Sequence, residues 1–372
     1  MKTSDSAGFS RRVDTLIDLM RGQGLDLALL FDRDNIRYFT GFRLNRAVSS
    51  MLAISPTEGV TYIVAKLDLN RAKRDCWIDR IISFPEDTPN YLDVLHTLIS
   101  PATRSIGTEK DTISLAQADY LKNIAGDNRE LVDVRPLTTK LRVIKSSQEI
   151  ESLRQAADIA SHAMEQVQGA IRSGMREAEL SAWVTYLMAQ DGAEGPSFEP
   201  FFMSGENAWL PQRISSLKAL REGELALLDM GAIYGGYCSD TTRTFAVGDV
   251  SARQREIFHV AREAQKAAID FVRPGVVASD VDAAARTVIE DAGYGEFFPH
   301  LTGHGVGLSS HEAPIIDRGV DMILEPGMVF TVEPGVYVPR VGAARVEDMV
   351  VVTDSGCELL TSAPRGLTRE KE

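Results

Sequence analysis

Four carboxylates and one imidazole in the C-terminal part of this 372-residue chain have the types and settings to do metal chemistry. Asp229 follows the apolar run Ala226-Leu-Leu, and Asp240 lies beyond a Tyr234-Gly235-Gly236 turn signal, so residues 226–246 are expected as a β-hairpin. With the turn centred on Tyr234 and Gly235, the two aspartates oppose each other across the hairpin, their Cβ atoms about 4.5–5.5 Å apart. Like charges placed there repel, the more so in apolar surroundings, and a cation between them would relieve the repulsion. His304 sits between glycines in Leu301-Thr-Gly-His-Gly-Val-Gly-Leu-Ser-Ser-His-Glu312, with His311 seven residues on. Glu333 ends an apolar strand, Phe330-Thr-Val-Glu, and Glu347 is placed inside another, residues 344–353, where a carboxylate is unexpected.

Singly, each has an ordinary explanation. The glycines around His304 could cradle a phosphate, but no strand-then-helix context or downstream ribose acid supports a dinucleotide site. Glu333 could be a solvated strand end, and Glu347 could pair with Arg345, which shares its strand face. Together they form an oxygen-rich donor set with one nitrogen, whose four negative charges cannot be buried uncompensated. Two divalent cations would supply that compensation and lower the pKa of a shared water, which becomes a hydroxide nucleophile. Carboxylate-rich donors suit Mn(II), Co(II) or Fe(II), with Zn(II) also compatible. The absence of HExxH excludes the single-zinc protease plan.

Two kinds of domain must position these residues. Residues 10–23 read as an amphipathic helix with Val13, Leu16, Ile17 and Met20 on one stripe. Short apolar runs then alternate with helical stretches at 90–99 and 114–124, the pattern of an α/β domain. Composition changes over residues 138–147, placing the boundary near residue 142, with a domain at 1–142 and another at 143–372. The second should open on a long helix N-capped by Ser147 and continue with a helix at about 176–190. A loop at 192–212, the hairpin, and helices at about 251–272 and 279–292 follow, the last capped by Ser279 or Asp280. The final stretch reads as strand and loop. Net charge is −13 with the signs interspersed, and no basic run suggests nucleic acid. Three widely spaced cysteines, no apolar leader segment and no long apolar run point to the cytoplasm and away from membranes.

The order Asp, Asp, His, Glu, Glu, carried by Asp229-Met-Gly-Ala, Ser239-Asp-Thr-Thr-Arg-Thr, Gly303-His-Gly-Val-Gly, Val332-Glu-Pro-Gly and Arg345-Val-Glu-Asp, resembles the pita-bread metallopeptidases. That family comprises Xaa-Pro dipeptidases, aminopeptidase P, methionine aminopeptidase and the metal-free creatinase. Asn35-Ile-Arg-Tyr-Phe-Thr-Gly-Phe42 resembles the creatinase-type N-terminal domain, and Leu141-Arg-Val-Ile-Lys145 the junction into the catalytic domain. The resemblance implies an α/β (α+β) chain with a creatinase-type domain followed by a pita-bread catalytic domain. It implies Asp240 and Glu347 as ligands bridging two metals, Asp229 completing one site, and His304 and Glu333 the other. Glu333 would also shuttle protons, with His311 and His300 around the scissile bond and Arg345 among the substrate-binding residues. A homodimer is implied as well.

One position departs from the pattern. Where the peptidases carry a Pro-His that helps hold substrate, this chain has Pro211-Gln212. Glutamine donates a hydrogen bond but carries no proton or charge. The expected function is therefore amide hydrolysis of an Xaa-Pro peptide. The alternative is hydrolysis of a small non-peptide amide or cyclic amidine on the same centre. A non-catalytic binding protein of the same fold is the reading from outside enzymology, and the intact donor set argues against it.

Overall fold

The computed structural model describes residues 6–44, 48–84, 91–126 and 129–367. The chain divides into two compact units, Met1–Arg142 and Val143–Glu372. The first is built on a six-stranded mixed sheet ordered Ile81–Phe84, Gly59–Ala65, Ser50–Ser55, Leu27–Leu30, Ser105–Thr108, Glu130–Asp133. Leu27–Leu30 lies near its middle, antiparallel to Ser50–Ser55 and parallel to Ser105–Thr108. All four of its residues are buried, as an unbroken apolar run requires. The first helix, Ser6–Gly22, buries the expected Val13, Leu16 and Met20.

The pattern of short apolar runs hides three helices, Leu69–Asp75, Arg135–Val143 and, first in the chain, Arg33–Thr40. Arg33–Thr40 starts on Asp32, whose side chain accepts from the Asn35 amide, and ends on Gly41 in the left-handed region. Eight residues are too few for a 3.6-residue period to show. The helix expected at 90–99 is a 3₁₀ segment, Tyr91–Thr97, and its first position, residue 90, lies outside the described residues.

The second unit sets two helix pairs against antiparallel strands. Helices Ser147–Ala170 and Glu177–Gln190 share an apolar cluster with Phe202, Leu228 and Phe245, and helices Ala252–Phe271 and Ala278–Asp291 share another with Phe330, Val332 and Val350. Two cap assignments change. Ser146, not Ser147, caps the long helix, in a reciprocal capping box with Glu149. Ala278–Asp291 starts at Val277 with no side-chain cap, so neither Ser279 nor Asp280 serves.

The segment expected as loop, 192–212, contains a strand, Phe201–Ser204, and a one-turn helix, Glu206–Trp209. Strand alternation separates its adjacent phenylalanines. Phe202 is fully buried against Phe245, with ring centroids 6.1 Å apart, while Phe201 lies beneath the Arg345 guanidinium. Among the described residues, no helix is long and apolar enough to cross a membrane.

Candidate metal centre

The hairpin does form, but in a different register. Tyr234 pairs with Tyr237, so the turn is Gly235-Gly236, both at positive φ. Two successive left-handed residues suit glycine, whereas a turn centred on Tyr234 would force a side chain into that region. The register carries through, so Asp229 pairs with Thr242 and not with Asp240. Asp240 falls in the break between strands Tyr237–Cys238 and Thr241–Val247. It is thus a diagonal neighbour of Asp229, a relationship that leaves Cα atoms roughly 7–8 Å apart in a regular ladder. At this break the backbones close up: a Cβ on Gly231 would lie 1.8 Å from the Ser239 carbonyl oxygen.

Glu347 is not inside a strand either. It lies in the break between Gly342–Arg345 and Asp348–Val352. Its amide donates to Thr242 O at 3.1 Å, and its carbonyl accepts from Thr241 Oγ1 at 3.2 Å and from the buried Arg243 at 2.5 Å. Thr242 Oγ1 donates to its Oε2 at 2.5 Å. The break is what lets a carboxylate leave an apolar sheet and meet Asp240.

His304 comes from the short strand Gly303–Gly305. A Cβ on either glycine would collide with backbone carbonyls, of Thr331 at 1.8 Å and of Ala313 at 2.1 Å, so the glycines permit close packing around the imidazole. The Gly305 carbonyl, 3.1 Å from Nδ1, can only accept, so Nδ1 carries the hydrogen. Nε2 faces the acids, 3.2 Å from Glu333 Oε1 and 3.7 Å from Asp240 Oδ2, and against the effect of burial the Glu333 bond raises the imidazole, favouring a second hydrogen there that a cation would displace. Glu333 directly follows strand Val329–Val332, and its Oε1 also accepts from Thr331 Oγ1 at 3.1 Å.

These elements bring Asp240, His304 and Glu347 so close that one ligand atom from each lies within 4.8 Å of the others. Asp229 Oδ1, Asp240 Oδ1 and Glu347 Oε1 are buried with no hydrogen-bond partner. Burial and the neighbouring acids push Asp240 and Glu347 well above the ordinary carboxyl range, and burial raises Asp229 to about 6. Burial would raise Glu333 too, but His304 and Arg345 outweigh it and hold it at about 2. Arg345, the guanidinium that bonds one of these side chains, cannot balance four ionised acids by itself. Arg345 hydrogen-bonds to Asp229, to Thr242 Oγ1 at 3.0 Å and to Tyr337 Oη at 3.3 Å, so its partner is Asp229 and not Glu347. Three orphaned carboxylate oxygens and an inward-facing imidazole nitrogen fit divalent cations.

The other expected site residues separate. His311 stacks on His304 with ring centroids 3.7 Å apart, and burial together with the His304 charge lowers it to about 4. His300 donates Nδ1–H to Leu301 O at 2.8 Å, leaving Nε2 to accept from Tyr337 Oη at 3.0 Å. Gln212 is exposed in the loop after Trp209, its amide bonded to Asn207 O. Sequence reasoning missed Tyr337, which links Arg345 to His300, and Thr242, which holds both Arg345 and Glu347. A tyrosine in an apolar strand and a threonine in a hairpin both read as ordinary strand formers.

Comparison with known proteins follows this geometry. The family described as metallopeptidase family M24 matches residues 151–354, and the creatinase/prolidase N-terminal domain matches residues 12–144. The chain belongs to the M24 metallopeptidases. It is 34% identical over 356 residues to an Xaa-Pro dipeptidase of Pyrococcus furiosus, covering 96% of this chain and 99% of that one. An Xaa-Pro dipeptidase of Lactobacillus helveticus is 34% identical over 361 residues, covering 95% and 98%. Among solved structures, the prolidase from Pyrococcus horikoshii OT3 superposes with a TM-score of 0.89 at 34% identity, covering 96% and 99%. The Xaa-Pro dipeptidase from Bacillus anthracis gives 0.90 at 34% identity, covering 97% and 99%. The expected fold is met in both parts, a creatinase-type N-terminal domain and an M24 domain after it. As an M24 protein, the chain is a metal-dependent hydrolase.

Proposed function

We propose that this M24 protein hydrolyses the amide bond before proline, as an Xaa-Pro dipeptidase or aminopeptidase, with residues 1–142 as the creatinase-like domain and 143–372 as the catalytic one. Asp229, Asp240, His304, Glu333 and Glu347 would hold two divalent metal ions, Mn(II) or Co(II) in preference to Zn(II) or Fe(II). The single observation that carries the reading is the set of three partnerless buried carboxylate oxygens on Asp229, Asp240 and Glu347. Bound divalent cations polarise a scissile carbonyl and lower the pKa of water.

The remaining work falls to the chain. Glu333 presents Oε1 to His304 and Thr331, and its Oε2, 4.0 Å from Arg345 Nε, would take the proton from attacking water and pass it to the departing nitrogen. His311, stacked over His304 and neutral, offers an N–H to the developing oxyanion. Tyr337 and Arg345 orient His300 at the edge of the same cluster. Gln212 and Arg345 are assigned to substrate binding, and a cytoplasmic homodimer belongs to the same reading.

Loading with Mn(II) or Co(II) and assaying a panel of Xaa-Pro dipeptides beside other small amides tests it. Turnover of proline dipeptides is expected. Turnover confined to non-peptide amides or cyclic amidines would transfer the assignment to those substrates, which Gln212 in place of a histidine favours.

A further inference from the structure

We infer that Glu177 is a positioning residue for substrate recognition, because its carboxylate anchors both limbs of the 205–217 loop that carries Gln212. The inference rests on the reading of Gln212 as a substrate-binding residue.

Glu177 opens helix Glu177–Gln190 and is fully buried. Its Oε1 accepts from the Ser204 amide and hydroxyl, both at 2.8 Å. Its Oε2 accepts from Asn207 Nδ2 at 2.8 Å and from the Ser216 amide and hydroxyl at 3.1 and 2.6 Å. These donors bracket one loop: Ser204 ends the strand that leads into it, Asn207 sits in its first turn, and Ser216 lies on the returning limb. The helix N-terminus favours a negative charge at this point. Lys218 Nζ donates to Ser204 Oγ at 2.8 Å and to Glu224 at 2.6 Å, so a cation supports the carboxylate through the serine hydroxyl.

An apolar side chain could fill the same space, but only an acceptor with two oxygens ties the limbs together. Main-chain bonds reinforce the tie, from Ala178 N to Ser216 O at 3.0 Å and from Glu177 N to Lys218 O at 3.1 Å. Beyond the anchors the loop is exposed, with Leu210 at 52% and Ile214 at 69%. The tip is set by two bonds back to the anchored part: Gln212 N to Asn207 O at 3.2 Å, and Arg213 N to Met203 Sδ at 3.0 Å. Asn207 thus passes the Glu177 anchor to Gln212. Arg213 is a non-glycine residue held at φ 52°, and its charge reaches His311.

The test compares full-length wild type with Glu177→Gln, and with the milder Asn207→Ala and Ser216→Ala in case the first fails to fold. Amide hydrogen exchange across 205–217 is read without substrate, and steady-state kinetics with an Xaa-Pro dipeptide on Mn(II)-loaded protein. Expected for Glu177→Gln are loop exchange faster by about tenfold, KM raised about tenfold and kcat within about twofold, at unchanged metal content. The milder variants should show the same split, reduced in size. Wild-type loop exchange in all three variants overturns the inference. So does faster exchange spread over the whole unit, or a loss shared equally by kcat with KM unchanged. Wild type that cleaves no proline dipeptide defeats the functional reading instead, and the exchange data then decide the anchor alone.

Discussion

His304 turns Nε2 toward Glu333, 3.2 Å from Oε1, because its Nδ1 hydrogen is given to the Gly305 carbonyl at 3.1 Å. A backbone acceptor thereby selects the tautomer, the usual arrangement behind a metal-bound imidazole. Of the acids around it, Asp240 and Glu347 each keep an oxygen with no partner. Replacing either with alanine should remove metal and activity together. The loss should exceed the roughly 10–100-fold that outer partners of a metal ligand cost. Metal analysis alongside turnover checks this, and an active, metal-loaded Asp240→Ala would remove that residue from the centre.

Cation binding should also be visible as stability. A ligand held only by the folded state at about 100 times its Kd adds about 2.7 kcal/mol. Mn(II) should therefore raise Tm by roughly 5–10 °C for a unit of this size, and chelation should reverse it. Glu347→Gln should lose that shift while its metal-free form melts above metal-free wild type, because one of the mutually repelling acids is gone. Thermal melts with and without chelator measure both.

Tyr337 accepts from Arg345 at 3.3 Å and donates to His300 at 3.0 Å. Tyr337→Phe removes the hydroxyl and little volume, so His300 loses its Nε2 partner and Arg345 one acceptor. kcat/KM should fall about 10–100-fold at unchanged metal content. Equal activity in the variant would make the link structural only.

Glu109 gives the first unit a pH dependence of its own. Burial lifts its carboxyl to about 7, which the bonds from Phe31 N at 2.9 Å and Asn35 Nδ2 at 3.1 Å only partly offset. A carboxyl whose pKa is higher folded than unfolded binds more protons in the folded state. Its stabilising contribution is therefore complete below about 4.5, declines as pH rises, and is lost above about 7. Between pH 5 and 8 wild type should lose about 2–3 kcal/mol more than Glu109→Gln, read by urea titration at each pH.

Arg243 is fully buried, with Nη2 2.7 Å from Asp348 Oδ1 and further donors on the Ala363 and Glu347 carbonyls. Arg243→Ala would take one of two guanidiniums from buried Asp348, which keeps Arg365 Nε at 2.6 Å, and would leave the Ala363 and Glu347 carbonyls without this donor, costing about 1–3 kcal/mol. Because Arg243 also holds the Glu347 backbone, metal affinity should weaken in the surviving protein. Denaturant unfolding and metal titration separate the two effects.

What the sequence determined by itself is the chemistry. Donor types, their order and their apolar settings are local properties, and the electrostatic oddness of acids after Ala226-Leu-Leu or beside Arg345-Val is legible without coordinates. Helix periods were nearly as local, but two caps moved: Ser146 takes the place of Ser147 because both offer the same hydroxyl, and Ala278–Asp291 starts with no side-chain cap. Tertiary structure decided the geometry. The hairpin turn moved onto Gly235-Gly236, since only glycines take two left-handed positions cheaply, and that shift gave Asp229 to Thr242. The break that frees Glu347 depends on Thr241, Thr242 and Arg243 from a strand about a hundred residues earlier, whose hydrogen bonds span |i−j| of 104 to 106. Tyr337 and Glu177 act only through partners that folding brings to them, so neither left a mark in residue spacing. Asp229 and Asp240 are diagonal neighbours across a broken ladder, not the directly opposed pair that the spacing suggested.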